Sequence, residues 1–108
     1  KHGMPAYHDE LFGPVASIIK VKNTEEAIHV ANDTQFGLGA AVFTRDLKRG
    51  ERIATDSIRA GSVFVNEFVK SDPRLPFGGI KESGYGRELS IYGIREFTNV
   101  KTVVIAED

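Results

Sequence analysis

Three features of this 108-residue sequence predict an α/β fold: short β-branched apolar runs, helix-length stretches between them that open on capping residues, and glycines that punctuate the exits. The apolar runs are Val15–Val21, Ala40–Thr44 and Ser62–Asn66. Strands that alternate with helices of about ten to fifteen residues read as β-α-β crossovers. The expected architecture is therefore an open three-stranded parallel β-α-β-α-β unit, followed by an added terminal strand.

Each element has a local reason. Residues 1–14 carry Gly3, Pro5, Gly13 and Pro14 and read as irregular and turn-rich. The run VASIIKV, Val15–Val21, has the pattern of a strand buried on both faces. Asn23 and Glu26 then stand at N-cap and N3 spacing, which predicts a helix to about Asp33. Its apolar stripe is Ala27, Ile28, Val30 and Ala31, with Glu25, His29 and Asn32 opposite. After the strand Ala40–Thr44, Asp46 is placed to cap a second helix ending near Ala60, with Gly61 at the C′ position. Gly50 inside that helix costs about 1 kcal/mol against alanine, so close packing against a neighbour is expected there. Beyond the strand Ser62–Asn66 comes a glycine-rich loop, then a short helix over about Arg87–Tyr92 ended by Gly93. Thr98–Ile105 reads as an exposed or added strand.

Composition narrows the class. Hydrophobic residues make up 41% and charged residues 27%, as in ordinary globular proteins, and the net charge is −1. Neither nucleic acid nor an anionic membrane is an expected partner of such a surface. No apolar run approaches the roughly 18–20 residues of a membrane helix, and no secretory leader is expected. The sequence has no cysteine, which excludes disulfides and thiolate metal sites within it and fits a reducing compartment. The cytoplasm is the expected location. His2, His8 and His29 lack metal-ligand spacing and read as surface residues, so no metal is expected. GLGAAV from Gly37 and GYGREL from Gly84 each lack the third glycine of a dinucleotide-binding fingerprint, and neither lies between a strand and a helix in the required order.

The densest signal is LPFGGIKESGYGREL, Leu75–Leu89, in which Gly78, Gly79, Gly84 and Gly86 fall close together. Such a run lets other atoms approach the backbone and suits a ligand-facing or subunit-facing loop; a long surface connection is the plain alternative. Its order, PFGGxKxSGxGRE, together with the upstream Glu10-Leu11-Phe12-Gly13-Pro14-Val15, resembles paired signatures of the C-terminal part of the aldehyde dehydrogenase superfamily. The likeness runs from about Gly3 to Ile105, and SDPRLPFGG is similar to the version in bacterial succinate-semialdehyde dehydrogenases.

The resemblance implies NAD or NADP as cofactor, a small aldehyde as substrate, and a homo-oligomer joined through the terminal strand. It divides the chain into residues 1–97, the C-terminal portion of a catalytic domain, and 98–108, an oligomerisation strand. It implies that Glu10 accepts hydrogen bonds from the nicotinamide ribose hydroxyls, a task a carboxylate's two oxygens suit. Read alone, Glu10 is a solvated turn residue. Phe12 resembles a residue that packs near the nicotinamide, with a core aromatic as its other reading. Phe77 resembles a wall of the aldehyde pocket. Ser71, Asp72 and Arg74 lie in the segment that varies with substrate. Arg74 reads either as a two-pronged clamp for a substrate carboxylate or as a rim or intersubunit salt bridge. Asn66, at the C-terminal end of a predicted strand, reads equally as a ligand neighbour or a turn cap.

No residue here is a catalytic candidate, because the family's cysteine nucleophile has no counterpart in the chain. Two readings follow. One is a C-terminal fragment of an NAD(P)-dependent aldehyde dehydrogenase, inactive by itself. The other is a non-catalytic, self-associating α/β module or degenerate gene product.

Overall fold

A computed structural model describes residues 2–107; Lys1 and Asp108, the outer ends of the two expected segments, lie outside the described residues. The elements in order are α1 (Pro5–His8), α2 (Thr24–Asn32), β1 (Gly39–Val42), α3 (Leu47–Arg52), β2 (Ser62–Val65) and α4 (Ser90–Glu96). A π-helical turn, Ile53–Ser57, prolongs α3, and a 3₁₀ turn covers Lys81–Ser83.

β1 and β2 pair in parallel, from Gly39 opposite Ser62 to Val42 opposite Val65. The ladder is prolonged at its start by Gly61 N–H to Gly37 O at 2.9 Å and Ser62 N–H to Leu38 O at 3.2 Å. The capping signals act as expected. Asn23 Oδ1 accepts from Glu26 N–H at 2.9 Å and Asp46 Oδ1 from Arg49 N–H at 3.0 Å. The Arg49 guanidinium also donates to Thr24 Oγ1, tying α3 to the first turn of α2. Gly50 is buried, and a Cβ there would lie 2.7 Å from Thr44 Cγ2 and 2.9 Å from Val65 Cγ1. The close packing expected of it is present.

The elements depart from expectation in several places. The sheet among the described residues has two strands, not three. Val15–Val21 pairs with none of them, and Ile18 is 94% exposed. A β-branched run carries strand propensity, but a strand exists only where a second edge meets its backbone. Thr98–Ile105 likewise forms no ladder among these residues, and Val100 is 86% exposed.

The second helix turns irregular before Ala60 because Asn32 intercepts its exit: Nδ2 donates to Ser57 O and Oδ1 accepts from Arg59 N–H, both at 2.8 Å. Gly61 does not adopt a left-handed φ; it is small because a Cβ would lie 1.6 Å from Gly78 O. Finally, α4 begins at Ser90, not Arg87, because Glu88 is held extended in an antiparallel bridge with Phe77, the two exchanging N–H to O bonds of 2.9 and 2.7 Å. Gly93 then sits inside α4, where a Cβ would meet the Glu88 carbonyl carbon at 2.8 Å.

The packing is close at the backbone and open at the side chains. The buried described residues are Gly37, Gly50, Gly79 and Gly93, and no large apolar side chain joins them. The accessible surface of 9210 Å² compares with about 5,900 Å² for a compact protein of this length. The radius of gyration, 18.6 Å, compares with about 13 Å. The described residues thus lack a core of their own.

Candidate functional site

The glycine-rich loop is fastened to the connection between α2 and β1. Gly37 O accepts from Ile80 N–H at 3.0 Å as well as from Gly61, and Gly37 N–H donates to Ser83 Oγ at 2.9 Å. Glu82 N–H donates to Gln35 O at 3.0 Å, and Lys81 Nζ donates to Asn32 O and Thr34 O at 2.9 and 2.8 Å. Arg87 Nη1 closes the loop on itself, to Gly79 O at 3.0 Å and Gly86 O at 2.6 Å. Lys81, Ser83 and Arg87 are loop-fastening residues that the sequence motifs did not single out. Their signal was polar side chains interleaved with glycines, in a loop whose backbone groups need partners.

Two grooves flank this strap. The first, of about 540 Å³, is lined by Glu10 together with Gly37, Leu38, Arg59 and Ser83. The second, of about 370 Å³, is lined by Phe77 with Leu38, Ser83, Tyr85, Arg87 and Phe97. They adjoin at Leu38 and Ser83, so Glu10 and Phe77 occupy neighbouring concavities. α1 carries the chain toward Glu10, and it docks on the end of α2 where the Tyr7 hydroxyl donates to Asp33 Oδ2 at 2.9 Å. That hydrogen bond to a carboxylate raises the phenol's pKa above its usual value.

The other candidates stand apart. Phe12 is 96% exposed and lines neither groove. Ser71, also exposed, and Asp72 and Arg74 lie outside both grooves as well. The Arg74 fork is engaged by its neighbour: Nη2 donates to Asp72 Oδ2 at 2.6 Å and Nε to Asp72 Oδ1 at 2.9 Å. Arg74 N–H adds a third bond to Oδ1, also at 2.9 Å. The side-chain bonds, and then the backbone one, hold the Asp72 carboxyl well below the usual carboxylate range. The same pairing raises Arg74.

Asn66 fastens the end of β2 to the chain leaving β1. Its φ is 56°, its Oδ1 accepts from Thr44 N–H and its Nδ2 donates to Thr44 O, both at 2.8 Å. No group of three His, Cys, Asp or Glu among the described residues could hold a metal ion. No helix among them is long and apolar enough to cross a membrane.

The model of the aldehyde dehydrogenase family matches residues 1–103. Succinate-semialdehyde dehydrogenase (NADP+) 1 of Mycobacterium tuberculosis is 55% identical over 103 residues, 95% of this chain and 22% of that protein. The crystal structure of succinic semialdehyde dehydrogenase from Streptococcus pyogenes in complex with NADP+ superposes with a TM-score of 0.89 at 47% identity, covering 95% of this chain and 22% of that one. Mycobacterium tuberculosis aldehyde dehydrogenase complexed with NAD+ gives 0.90 at 41% identity, covering 95% and 21%. The chain therefore spans about a fifth of the length of the proteins it matches. With a family match over nearly its whole length, the chain belongs to the aldehyde dehydrogenase family.

Proposed function

We propose that this chain is the C-terminal part of an NAD(P)-dependent aldehyde dehydrogenase that oxidises succinate semialdehyde to its carboxylic acid. The observation that carries the substrate is the 55% identity over 95% of the chain with a succinate-semialdehyde dehydrogenase. The large uncovered apolar surface supports the reading of a part: side chains such as Val15, Ile18 and Phe68 need cover that these residues do not supply. In this reading residues 1–97 complete a catalytic domain, 98–108 extend into a neighbouring subunit of a homo-oligomer, and the enzyme works in the cytoplasm.

The residues present fit the cofactor's polar end. The exposed Glu10 carboxylate opens onto a groove of about 540 Å³, within the usual size of a small-molecule site. The dinucleotide, when bound, supplies the acceptor for the hydride that leaves the substrate. Glu10 holds the ribose diol through its two oxygens and so fixes the direction the nicotinamide faces. Phe12 offers a ring to its side, and Phe77 walls the aldehyde end and excludes water there. Ser71 offers a hydroxyl to the substrate carboxylate. Arg74 can grip that carboxylate only if Asp72 releases its fork, so the Asp72–Arg74 pair sets how the loop receives a charged aldehyde. The attacking thiol comes from outside these residues, since none of them is cysteine.

The experiment is absorbance of reduced nicotinamide with succinate semialdehyde and NAD or NADP. The full-length protein should turn over and the 108-residue chain should not. A full-length protein that reduces neither dinucleotide would overturn the proposal. So would a chain that, alone, exceeds its boiled control.

A further inference from the structure

Helices end with carbonyls that have no partner inside the helix, at the negative end of the helix dipole. At the end of α2 a cation is brought from far along the sequence: Lys81 Nζ donates to Asn32 O at 2.9 Å and to Thr34 O at 2.8 Å. Lys81 takes a φ of 55° in doing so, a left-handed backbone that lysine seldom adopts. A strained residue persists where its surroundings over-determine it. Here the surroundings are the bonds of Ile80, Glu82 and Ser83 to residues 35 and 37.

Phe77 belongs to the same strap. Between it and Lys81 lie Gly78, Gly79 and Ile80, and Gly79 is pressed on Ser83 so closely that a Cβ would meet Ser83 Cβ at 2.5 Å. With two glycines next to it, the backbone direction at Phe77 is set by what fastens the strap on either side. Those fasteners are the Glu88 bridge on one side and, on the other, the Arg87 bond to Gly79 O, the Ile80 bond to Gly37 O and the Lys81 anchor that follows them.

We propose that Lys81 is a positioning residue for the aldehyde pocket: its ammonium group, fastened to the end of α2, fixes the strained strap that holds Phe77 against the substrate. The inference rests on the reading of Phe77 as a wall of that pocket.

The test uses Lys81→Met and Lys81→Arg in the full-length enzyme, with kcat and KM measured separately for succinate semialdehyde and for the dinucleotide. In Lys81→Met the aldehyde KM rises about ten-fold while the dinucleotide KM stays within about two-fold, the mark of a displaced pocket wall and not of lost enzyme. Lys81→Arg, which keeps the cation, brings the aldehyde KM back to within about three-fold of the unsubstituted value. If Lys81→Met does not fold, Ser83→Ala, which removes the acceptor for Gly37 N–H, reads the same strap. An aldehyde KM unchanged in these variants, with only the yield or kcat lowered, overturns the positioning role and leaves the proposed function standing. No turnover in the unsubstituted enzyme overturns that function and the role with it.

Discussion

Gly61→Ala should release the glycine-rich loop from the sheet. An alanine Cβ at that position would lie 1.6 Å from Gly78 O and 2.7 Å from the Gly78 carbonyl carbon. Both are backbone atoms, so no rotamer change relieves the clash, and Gly61 has no left-handed φ that would confuse sterics with strain. One of the two segments must move, which breaks Gly61 N–H to Gly37 O at 2.9 Å and Ile80 N–H to Gly37 O at 3.0 Å. Two hydrogen bonds at about 1 kcal/mol each and about 1–3 kcal/mol of overpacking make a cost of about 3–5 kcal/mol. Restricting the unfolded chain returns about 0.4–1 kcal/mol. The clash wins by about 2–4.6 kcal/mol, which raises local opening about thirty- to two-thousand-fold. Amide hydrogen exchange at Ile80 and Gly37 in the full-length protein reads this directly. Gly13→Ala, with nothing within 4 Å of its Cβ, is the control and should change stability by no more than about 0.5 kcal/mol. Equal exchange in the two variants would refute the assignment of Gly61 as a contact glycine.

Glu10→Gln keeps the shape of the side chain but loses the charged acceptor; single-turnover kinetics should show slower hydride transfer or weaker dinucleotide binding, with melting unchanged. The Asp72 carboxyl is depressed by Arg74, so the pair's contribution is present above the ordinary value of about 3.9 and is lost only as pH falls through the lower folded value. The Asp72 carboxyl carbon shift should therefore stay flat from neutral pH down to about pH 4, and an inflection near the ordinary value would mean the pair does not persist in solution. Cutting the chain after Phe97 removes the exposed Val100, Val103, Val104 and Ile105 and should lower self-association in light scattering; an intact chain that is strictly monomeric would end the edge-pairing idea.

What the sequence determined by itself are features governed by neighbours a few residues away. Asn23 and Asp46 open α2 and α3 because a side-chain oxygen three positions before an amide is a cap wherever the helix lies. β1 and β2 follow from their apolar runs, and Gly50 announced a close contact by standing where alanine would make a better helix. Two glycine-bearing motifs in the right order carried the family resemblance. What only the tertiary structure decided depends on partners distant along the chain. Asn32 ends the second helix from 25 residues away, and Lys81 closes α2 from 49 residues away. Gly61 is a contact and not a cap because Gly78 arrives against it. The Arg74 fork is taken up by Asp72, a choice that rotamers make and residue types do not. Val15–Val21 and Thr98–Ile105 have strand composition but pair with no strand among the described residues, because a ladder hydrogen bond needs a second backbone edge, and propensity is a property of one.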